Sequence, residues 1–343
     1  MATILDVARL AGVSPITVSR VINRSGYFSE ETGHKVEAAI LELGYVPNTL
    51  ARSLRSKRTN TLALIITDIT NPFFTTLARG VEDTASDAGF TVIFCNTDES
   101  QEEEDKYLQV LLQKQVDGIL LVPAHCSPES VELIQKHGTP VVVLDRRVPQ
   151  ATVDVVRGDS VGGAYQLTRL MLSLGHRRIA IISGPQAVST SVDRVSGYQK
   201  ALQEAGLPDN PDYVYYGSFT QDSGYELTRR ALALDPPPTA LVAANNFLGI
   251  GALKALQASG LQVPADFSLA SFDDLPQALL ISFPFFTVAS QAAYEMGRQA
   301  TQLLLERLAK DPPEHFQEII LPCEIIVRAS TGQVPPNGPV QER

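Results

Sequence analysis

From residue 61 to about 330, short β-branched runs alternate with longer stretches whose apolar residues recur every three or four positions. Such alternation predicts strands connected by helices, the pattern that builds parallel sheets. Two cycles are legible. The first places strands at 62–67, 91–95, 118–122, 141–144 and 153–156, with helices over 75–88, 102–114 and 129–136. The second places strands at 178–183, 213–216, 239–243 and 268–272, with helices over 193–205, 223–234 and 247–259. A late helix at about 294–310 and one strand-like run over 319–327 predict that the chain returns to both lobes. The economical fold is α/β, with two doubly wound parallel-sheet lobes joined by a cleft.

The first 46 residues follow another pattern. Thr3 with Asp6 has capping-box spacing, Ser14 precedes Pro15, and Ser29 precedes Glu30 and Glu31, so three short helices are predicted, with Gly12 turning the chain between the first two. The third helix turns Val36, Ile40 and Leu43 inward. In the second helix Val18, Val21 and Ile22 form one apolar stripe, while Ile16, Arg20 and Asn23 fall on the opposite face. This order resembles a helix-turn-helix. Its outer face suits a major groove: an arginine can bind guanine O6 and N7 with both arms, and an apolar side chain can meet a thymine methyl. Ser14, Thr17 and Ser19 can hold flanking phosphates.

Residues 49–56 have the length of a helix too short to persist alone, so they are expected to order only with a partner. Leu50 and Leu54 lie one turn apart among Arg52, Arg55, Lys57 and Arg58. An apolar wedge flanked by cations is what a minor-groove binder needs.

Composition changes the picture in one respect. With 343 residues at 44% hydrophobic, the chain can form two or three domains with real cores. Its formal charge of −10 would argue against a nucleic-acid partner if it were evenly spread. It is not: residues 1–60 hold eight Lys/Arg against five acids, a net of +3, which leaves −13 on residues 61–343. Cys95, Cys126 and Cys323 lie far apart without a CxxC pair, which indicates neither a disulfide framework nor a cysteine metal site and fits a reducing cytoplasm. The start lacks a signal-peptide pattern and no apolar run reaches membrane-spanning length, so a soluble, cytoplasmic protein without a membrane partner is expected. The expected organisation is a headpiece over 1–46, a hinge helix and linker over 47–60, a two-lobed core over 61–330, and a disordered Pro-rich tail over 331–343. Within the core, the N-lobe takes about 61–160 plus 291–320, and the C-lobe about 161–290 plus 321–330.

In open α/β sheets, ligands bind beyond the carboxyl ends of strands. The first lobe offers Asn71, Phe73 and Phe74 after its first strand, Asp145 and Arg146 after its fourth, and Asp159 after its fifth. The second offers Thr190, Arg194, Phe219, Asn245 and Asp273, and Gln291 lies in a return segment. Carboxylates, guanidiniums, amides and phenyl rings suit a small polyol, whose hydroxyls take forked hydrogen bonds while rings stack on its C–H face. Enzyme signatures are sparse: there is no GxxxxGK[ST], no GxGxxG after the first strand and no HExxH. Asp145 and Asp273 could in principle act as an acid/base pair, but carboxylates flanked by Arg and amides serve equally as sugar ligands. The expectation is a binding protein with no catalytic residues, cofactor or metal.

Residues 3–58 resemble the DNA-binding headpiece and hinge of the LacI/GalR (lactose-repressor) family. The resemblance lies in Asp6-Val7-Ala8, Ala11-Gly12-Val13-Ser14, Thr17-Val18-Ser19-Arg20-Val21-Ile22-Asn23, and Gly44-Tyr45-Val46-Pro47-Asn48 through Ala51-Arg52-Ser53-Leu54. It extends to about residue 330 through Val116-Asp117-Gly118-Ile119, Gly175-His176-Arg177-Arg178-Ile179-Ala180 and Ser271-Phe272-Asp273-Asp274. It implies a homodimeric repressor that reads a palindromic operator with Ser14, Pro15, Ile16, Thr17, Ser19, Arg20 and Asn23. The hinge would add Asn48, Ala51, Arg52, Leu54 and Arg55, with Leu54 wedged into the central base step. The lobes also look like periplasmic sugar-binding proteins, the ribose-binding type especially. That family's ligand residues have counterparts at Asn71, Phe73, Phe74, Asp145, Arg146, Arg194, Phe219, Asn245, Asp273 and Gln291, which implies a pentose effector. Asn246 stands where these families commonly carry Asp. Because no heptad-rich helix follows residue 330, a dimer is expected rather than a tetramer.

Overall fold

The computed structural model describes residues 2–46, 58–275 and 285–334, in two compact units that divide between Thr59 and Asn60. The first unit contains α1 (Ile4–Ala11), α2 (Pro15–Ile22) and α3 (Glu30–Leu43). All three start on the caps read from the sequence. Thr3 and Asp6 satisfy each other's backbone N–H groups, Ser14 accepts from the Thr17 N–H at 3.1 Å, and Ser29 accepts from the Thr32 N–H at 3.2 Å. Val7, Val18, Val21, Val36 and Ala39 close a small core between the helices. Residues 47–57, and with them the hinge positions Asn48, Ala51, Arg52, Leu54 and Arg55, lie outside the described residues.

The second unit holds two six-stranded sheets. Its strands are β1 (Thr61–Ile66), β2 (Thr91–Asn96), β3 (Gly118–Leu121), β4 (Val141–Leu144), β5 (Asp154–Gly158), β6 (Ile179–Ser183), β7 (Val214–Tyr216), β8 (Ala240–Ala243), β9 (Ser268–Phe272), β10 (Thr287–Ser290), β11 (Glu318–Leu321) and β12 (Glu324–Ile326). The sheet orders are β11-β5-β4-β3-β1-β2 and β12-β10-β9-β8-β6-β7. The second order repeats the first with each of the first five strands advanced by five, so β4 and β9 occupy corresponding places. Pairing is parallel throughout except between β10 and β12. The inner strands are buried on both faces, which is why they read as unbroken hydrophobic runs.

Among the described residues eight helices flank the sheets: α4 (Pro72–Asp87), α5 (Gln101–Gln113), α6 (Glu129–Lys136), α7 (Ser160–Ser173), α8 (Ser189–Glu204), α9 (Gln221–Leu232), α10 (Asn246–Ala258) and α11 (Ala293–Arg307). The return helix α11 lies tight against α4. A Cβ on Gly80 would sit 2.1 Å from the Tyr294 carbonyl, and one on Gly297 would sit 2.1 Å from the Leu77 carbonyl, so each helix needs a glycine where the other crosses it. Arg307, at the end of α11, reaches the fully buried Asp154 of β5 with bonds of 2.6 and 2.9 Å.

Four details depart from the sequence reading. The run over 319–327 is two strands in different sheets: Pro322 offers no N–H to a ladder, and the chain leaves one sheet and joins the other there. Helix α7 has no counterpart in the reading, because Gly162-Gly163 lowers helix propensity; packing selects Gly163, where a Cβ would lie 2.6 Å from the Phe272 ring. Strand β10 is also unanticipated, being four residues long with threonine and serine at its ends. Finally, residues 331–334 of the expected disordered tail are fastened to the C-terminal lobe. The Val334 N–H donates to the Leu174 carbonyl at 3.0 Å, and the Gly332 N–H donates to Ser268 Oγ at 3.0 Å.

Candidate ligand cleft and nucleic-acid interface

The second unit encloses a cavity of about 510 Å³ at the carboxyl ends of its strands. The topology rule places Asp145 directly after β4 and Asp273 directly after β9, the corresponding point of the other sheet. Both adopt the left-handed conformation, each at φ +62°, and both keep a ladder bond: Asp145 N–H to the Val156 carbonyl at 2.9 Å, and Asp273 N–H to the Ala289 carbonyl at 3.0 Å. The turn frees each carboxylate to face the cleft. Aspartate tolerates this backbone state better than most non-glycine residues.

Burial pushes the Asp273 carboxyl up to about 6, against the pull of Arg194 and a 2.7 Å hydrogen bond from Gln291 Nε2. Asp145 is raised in the same direction, first by burial, with Arg194 and then Arg146 opposing and Glu99 adding to the rise. Arg194 is thus the shared counter-charge of both. It lies buried with its guanidinium 4.1 Å from the Phe272 ring centroid, donates to the Ala244 carbonyl, and leaves Nε without a partner among the described residues. Charge is held here by a cation on an aromatic face, which keeps it fixed and only partly neutralised.

Helix starts supply the amides. Asn71 caps α4 by accepting the Phe73 N–H at 3.1 Å, and Asn245 caps α10 by accepting the Leu248 N–H at 2.8 Å. Both are buried at the cavity wall. Phe73 and Phe74 meet edge to face with centroids 5.1 Å apart. Phe219 lies over Gly184, whose absent side chain makes room for the ring: a Cβ there would be 2.3 Å from it. Thr190, in the first turn of α8, is also on the wall.

Not every expected residue joins this set. Asp159 does not line the cavity; it caps α7, accepting the Gly162 N–H at 2.8 Å, and in sequence a cap and a ligand carboxylate after a strand look the same. Gln291 stands behind Asp273 and borders a smaller neighbouring cavity of about 320 Å³. Arg146 lines the cleft, but its fork is occupied: Nη1 and Nη2 donate to the two Glu99 oxygens at 2.7 and 2.6 Å, and Nη1 also reaches the Pro123 and Ala124 carbonyls. Glu99, Asp68 and Asp98 on the wall were not anticipated. Glu99 lies three residues beyond the end of β2, whereas Asp145 directly follows β4, so the strand-end rule finds it only when extended through the loop after β2.

In the first unit, Ile16 is 67% exposed and Arg20 is exposed beside it, while Val18 and Val21 of the same helix are buried. Arg20 forms no ion pair among the described residues. Pro15 is exposed at the helix start, and Ser14, Thr17, Ser19 and Asn23 are tied into local bonds, the first pair at 2.9 Å and Asn23 Nδ2 to the Ser19 carbonyl at 2.7 Å. The helix therefore presents a rigid apolar-plus-cationic face with its hydroxyls along the edge.

A helix-turn-helix unit followed by a two-lobed unit with a polar cleft defines a class of ligand-responsive transcriptional regulators. Residues 3–48 match the family of bacterial regulatory proteins of the lacI type, and residues 59–329 match the periplasmic binding proteins and sugar-binding domain of the LacI family. The HTH-type transcriptional repressor PurR of Haemophilus influenzae (strain PittEE) is 36% identical over 337 residues, covering 97% of this chain and all of PurR. Among solved structures, the transcriptional regulator CelR–cellobiose complex is 36% identical (TM-score 0.74, covering 96% of this chain and 100% of that one). A LacI-family regulator from Enterococcus faecium with bound ribose is 31% identical (TM-score 0.71, 80% and 99%). The Lac repressor dimer bound to operator and the anti-inducer ONPF is 26% identical (TM-score 0.83, 96% and 99%). The chain belongs to the LacI family: it is a transcriptional repressor with a sugar-binding domain, and not an enzyme. Among the described residues no helix is long and apolar enough to cross a membrane.

Proposed function

We propose that this repressor works in the cytoplasm as a homodimer on a palindromic operator of carbohydrate uptake or catabolism genes, and that a small sugar, a pentose such as ribose, releases it. In this reading Ser14, Pro15, Ile16, Thr17, Ser19, Arg20 and Asn23 meet each half-site, and Asn48, Ala51, Arg52, Leu54 and Arg55 meet its centre. Asn71, Phe73, Phe74, Asp145, Thr190, Arg194, Phe219, Asn245 and Asp273 hold the sugar, with Gln291 and Arg146 steering the two carboxylates' neighbourhood and Asp159 shaping the crossover beside them. The lobe boundaries near 160, 290 and 320 belong to the same proposal, since the crossovers there let the lobes open and close. A sugar that binds one lobe arrangement better than the other shifts the spacing of the two hinge segments in a dimer, and with it operator affinity.

One observation carries the reading: two corresponding strand-end aspartates share Arg194 in a cleft walled by amides and phenyl rings. The cavity's volume favours a second reading, a larger sugar such as a disaccharide, because about 510 Å³ exceeds what a pentose fills. Footprinting the upstream region of the protein's own gene with ribose, xylose, glucose and cellobiose tests both. A two-fold symmetric footprint released by a pentose is expected. Release by cellobiose alone replaces the pentose, strengthening of the footprint makes the sugar a corepressor, and a footprint that no sugar alters sinks the effector reading.

A further inference from the structure

Arg146 is the group in the cleft best shaped to grip an anion, yet both arms of its guanidinium are taken by Glu99. The pair is sheltered on one side and open on the other: the Arg146 side chain is 2% exposed and that of Glu99 29%. Glu99 is brought there by an unusual turn. Asp98 and Glu99 are consecutive non-glycine residues in the left-handed region, at φ +49° and +59°, and the Glu99 N–H is anchored on the Thr67 carbonyl at 3.2 Å. Such backbone states persist only where the surrounding structure holds them, and they concentrate at functional sites.

Five carboxylates and two guanidiniums line the cavity. With both arms of Arg146 held by Glu99, the other lining guanidinium, Arg194, alone is left to meet a negative ligand, and it stands among five carboxylates. A carboxylated or phosphorylated sugar would enter against a net negative wall, sheltered from the solvent that screens surface charges. A neutral polyol meets no such barrier, since its hydroxyls donate to carboxylates and accept from amide and guanidinium N–H groups.

We propose that Glu99 sets the charge class of the effector: by occupying Arg146 it makes the cleft select uncharged sugars and reject sugar acids and sugar phosphates. This rests on the reading of the cleft as the effector site. It differs from a mere propping role for Glu99, which would change affinity for neutral and anionic sugars alike. The ratio between the two is therefore the quantity to measure.

Isothermal titration of the full-length protein with matched pairs tests it: ribose and ribose 5-phosphate, glucose and gluconate, cellobiose and cellobionate. For the wild type, the neutral member of the binding pair should be at least tenfold tighter than its anion. In Glu99→Gln, which keeps the shape and removes the charge, that ratio should fall at least tenfold or invert, with operator binding in the absence of sugar reporting an intact fold. An anion that binds the wild type as tightly as its neutral partner overturns the proposal whether or not the variant folds. A neutral sugar that binds both proteins with an unchanged ratio overturns the role of Glu99 and leaves the effector reading standing. If no member of any pair binds the wild type, the effector reading falls and the proposal with it.

Discussion

Asn246 Nδ2 donates to Asn71 Oδ1 at 2.9 Å, a buried hydrogen bond that joins the first turn of α10 in one lobe to the cap of α4 in the other. Asn71 Oδ1 also accepts the Phe73 N–H, so its amide cannot flip without surrendering the cap. The donor must therefore come from position 246, and an aspartate there has none. Arg147 adds to the same seam, with its N–H on Ser189 Oγ at 2.8 Å and its guanidinium paired with Asp193. Side chains of the protein thus hold the lobes together before any sugar adds its own contacts.

Asn246→Asp should consequently loosen closure more than it harms the fold. The new carboxylate faces an acceptor, but it also sits at a helix N-terminus, which favours negative charge by about 0.3–1 kcal/mol. The melting temperature should change by less than about 4 °C, while sugar affinity falls several-fold and small-angle scattering of the sugar-free protein reports a larger radius. Unchanged affinity and radius would show that this bond does not bias the lobes.

Asp273 carries a cost in stability. Its folded-state carboxyl titrates at about 6, above its ordinary 3.8, so between those values the folded protein holds more protons than the unfolded chain. Its contribution to stability falls as pH rises through that window, and the cost is fully present above it. Asp273→Asn should therefore raise stability at pH 7.5 by about 1–3 kcal/mol, with the advantage shrinking toward pH 4, and it should weaken sugar binding at the same time. Denaturant titrations of both proteins at the two pH values decide this; a variant less stable than wild type at pH 7.5 would mean that the Gln291 and Arg194 contacts outweigh the burial.

His176 makes the opposite prediction. It is fully buried, with Nδ1 2.9 Å from Thr239 Oγ1 and Nε2 2.9 Å from Ser268 Oγ and 3.1 Å from the Gly332 carbonyl, so it joins strand β9 to residues 331–334. Burial holds its titration below the ordinary 6.5, with the Gly332 bond pulling the other way. The stability it lends is fully present above about pH 6.5 and is lost as pH falls toward the folded value. His176→Ala should destabilise by about 2–4 kcal/mol, removing the buried hydrogen bonds to Thr239 and Ser268 and leaving a cavity, and should flatten the stability profile below pH 6.5. A profile as steep as that of the wild type would place the proton uptake elsewhere.

Local chemistry made some of this legible. The three headpiece caps act over three residues, and the inner strands are apolar because both of their faces are covered, so each could be read in a window of sequence. Asp145 and Asp273 were legible because topology fixes where strand ends go. Long-range pairing was not: Arg146 meets Glu99 across 47 residues, and nothing beside either one announces the other. Nor could Asp159 be told from a ligand, since a carboxylate that caps a helix and one that binds a sugar occupy the same position after a strand. Helix α7 was hidden by glycines that tertiary packing demands, at a cost to local propensity.

The exposed pair on α2 yields the remaining prediction. Ile16 and Arg20 stand one turn apart on a helix whose opposite side is locked by Val18 and Val21, so their positions are set by the core. Arg20→Ala should cost about 1–3 kcal/mol of operator affinity per half-site and relax preference at one base pair, while Lys35→Ala, at a cation already paired with Glu31 at 2.7 Å, should change little. Because residues 61–343 carry −13 and only residues 1–60 are net positive, the two headpieces of the proposed dimer are expected to act together against repulsion from the body. Operator affinity should then fall steeply with salt, and Arg20→Ala should lower it at every salt concentration while leaving most of the slope, which phosphate contacts set. Fluorescence anisotropy with the operator and with single-base variants from 50 to 200 mM salt separates these terms. An equal loss on every DNA sequence would show Arg20 to be a phosphate contact and remove it from base reading.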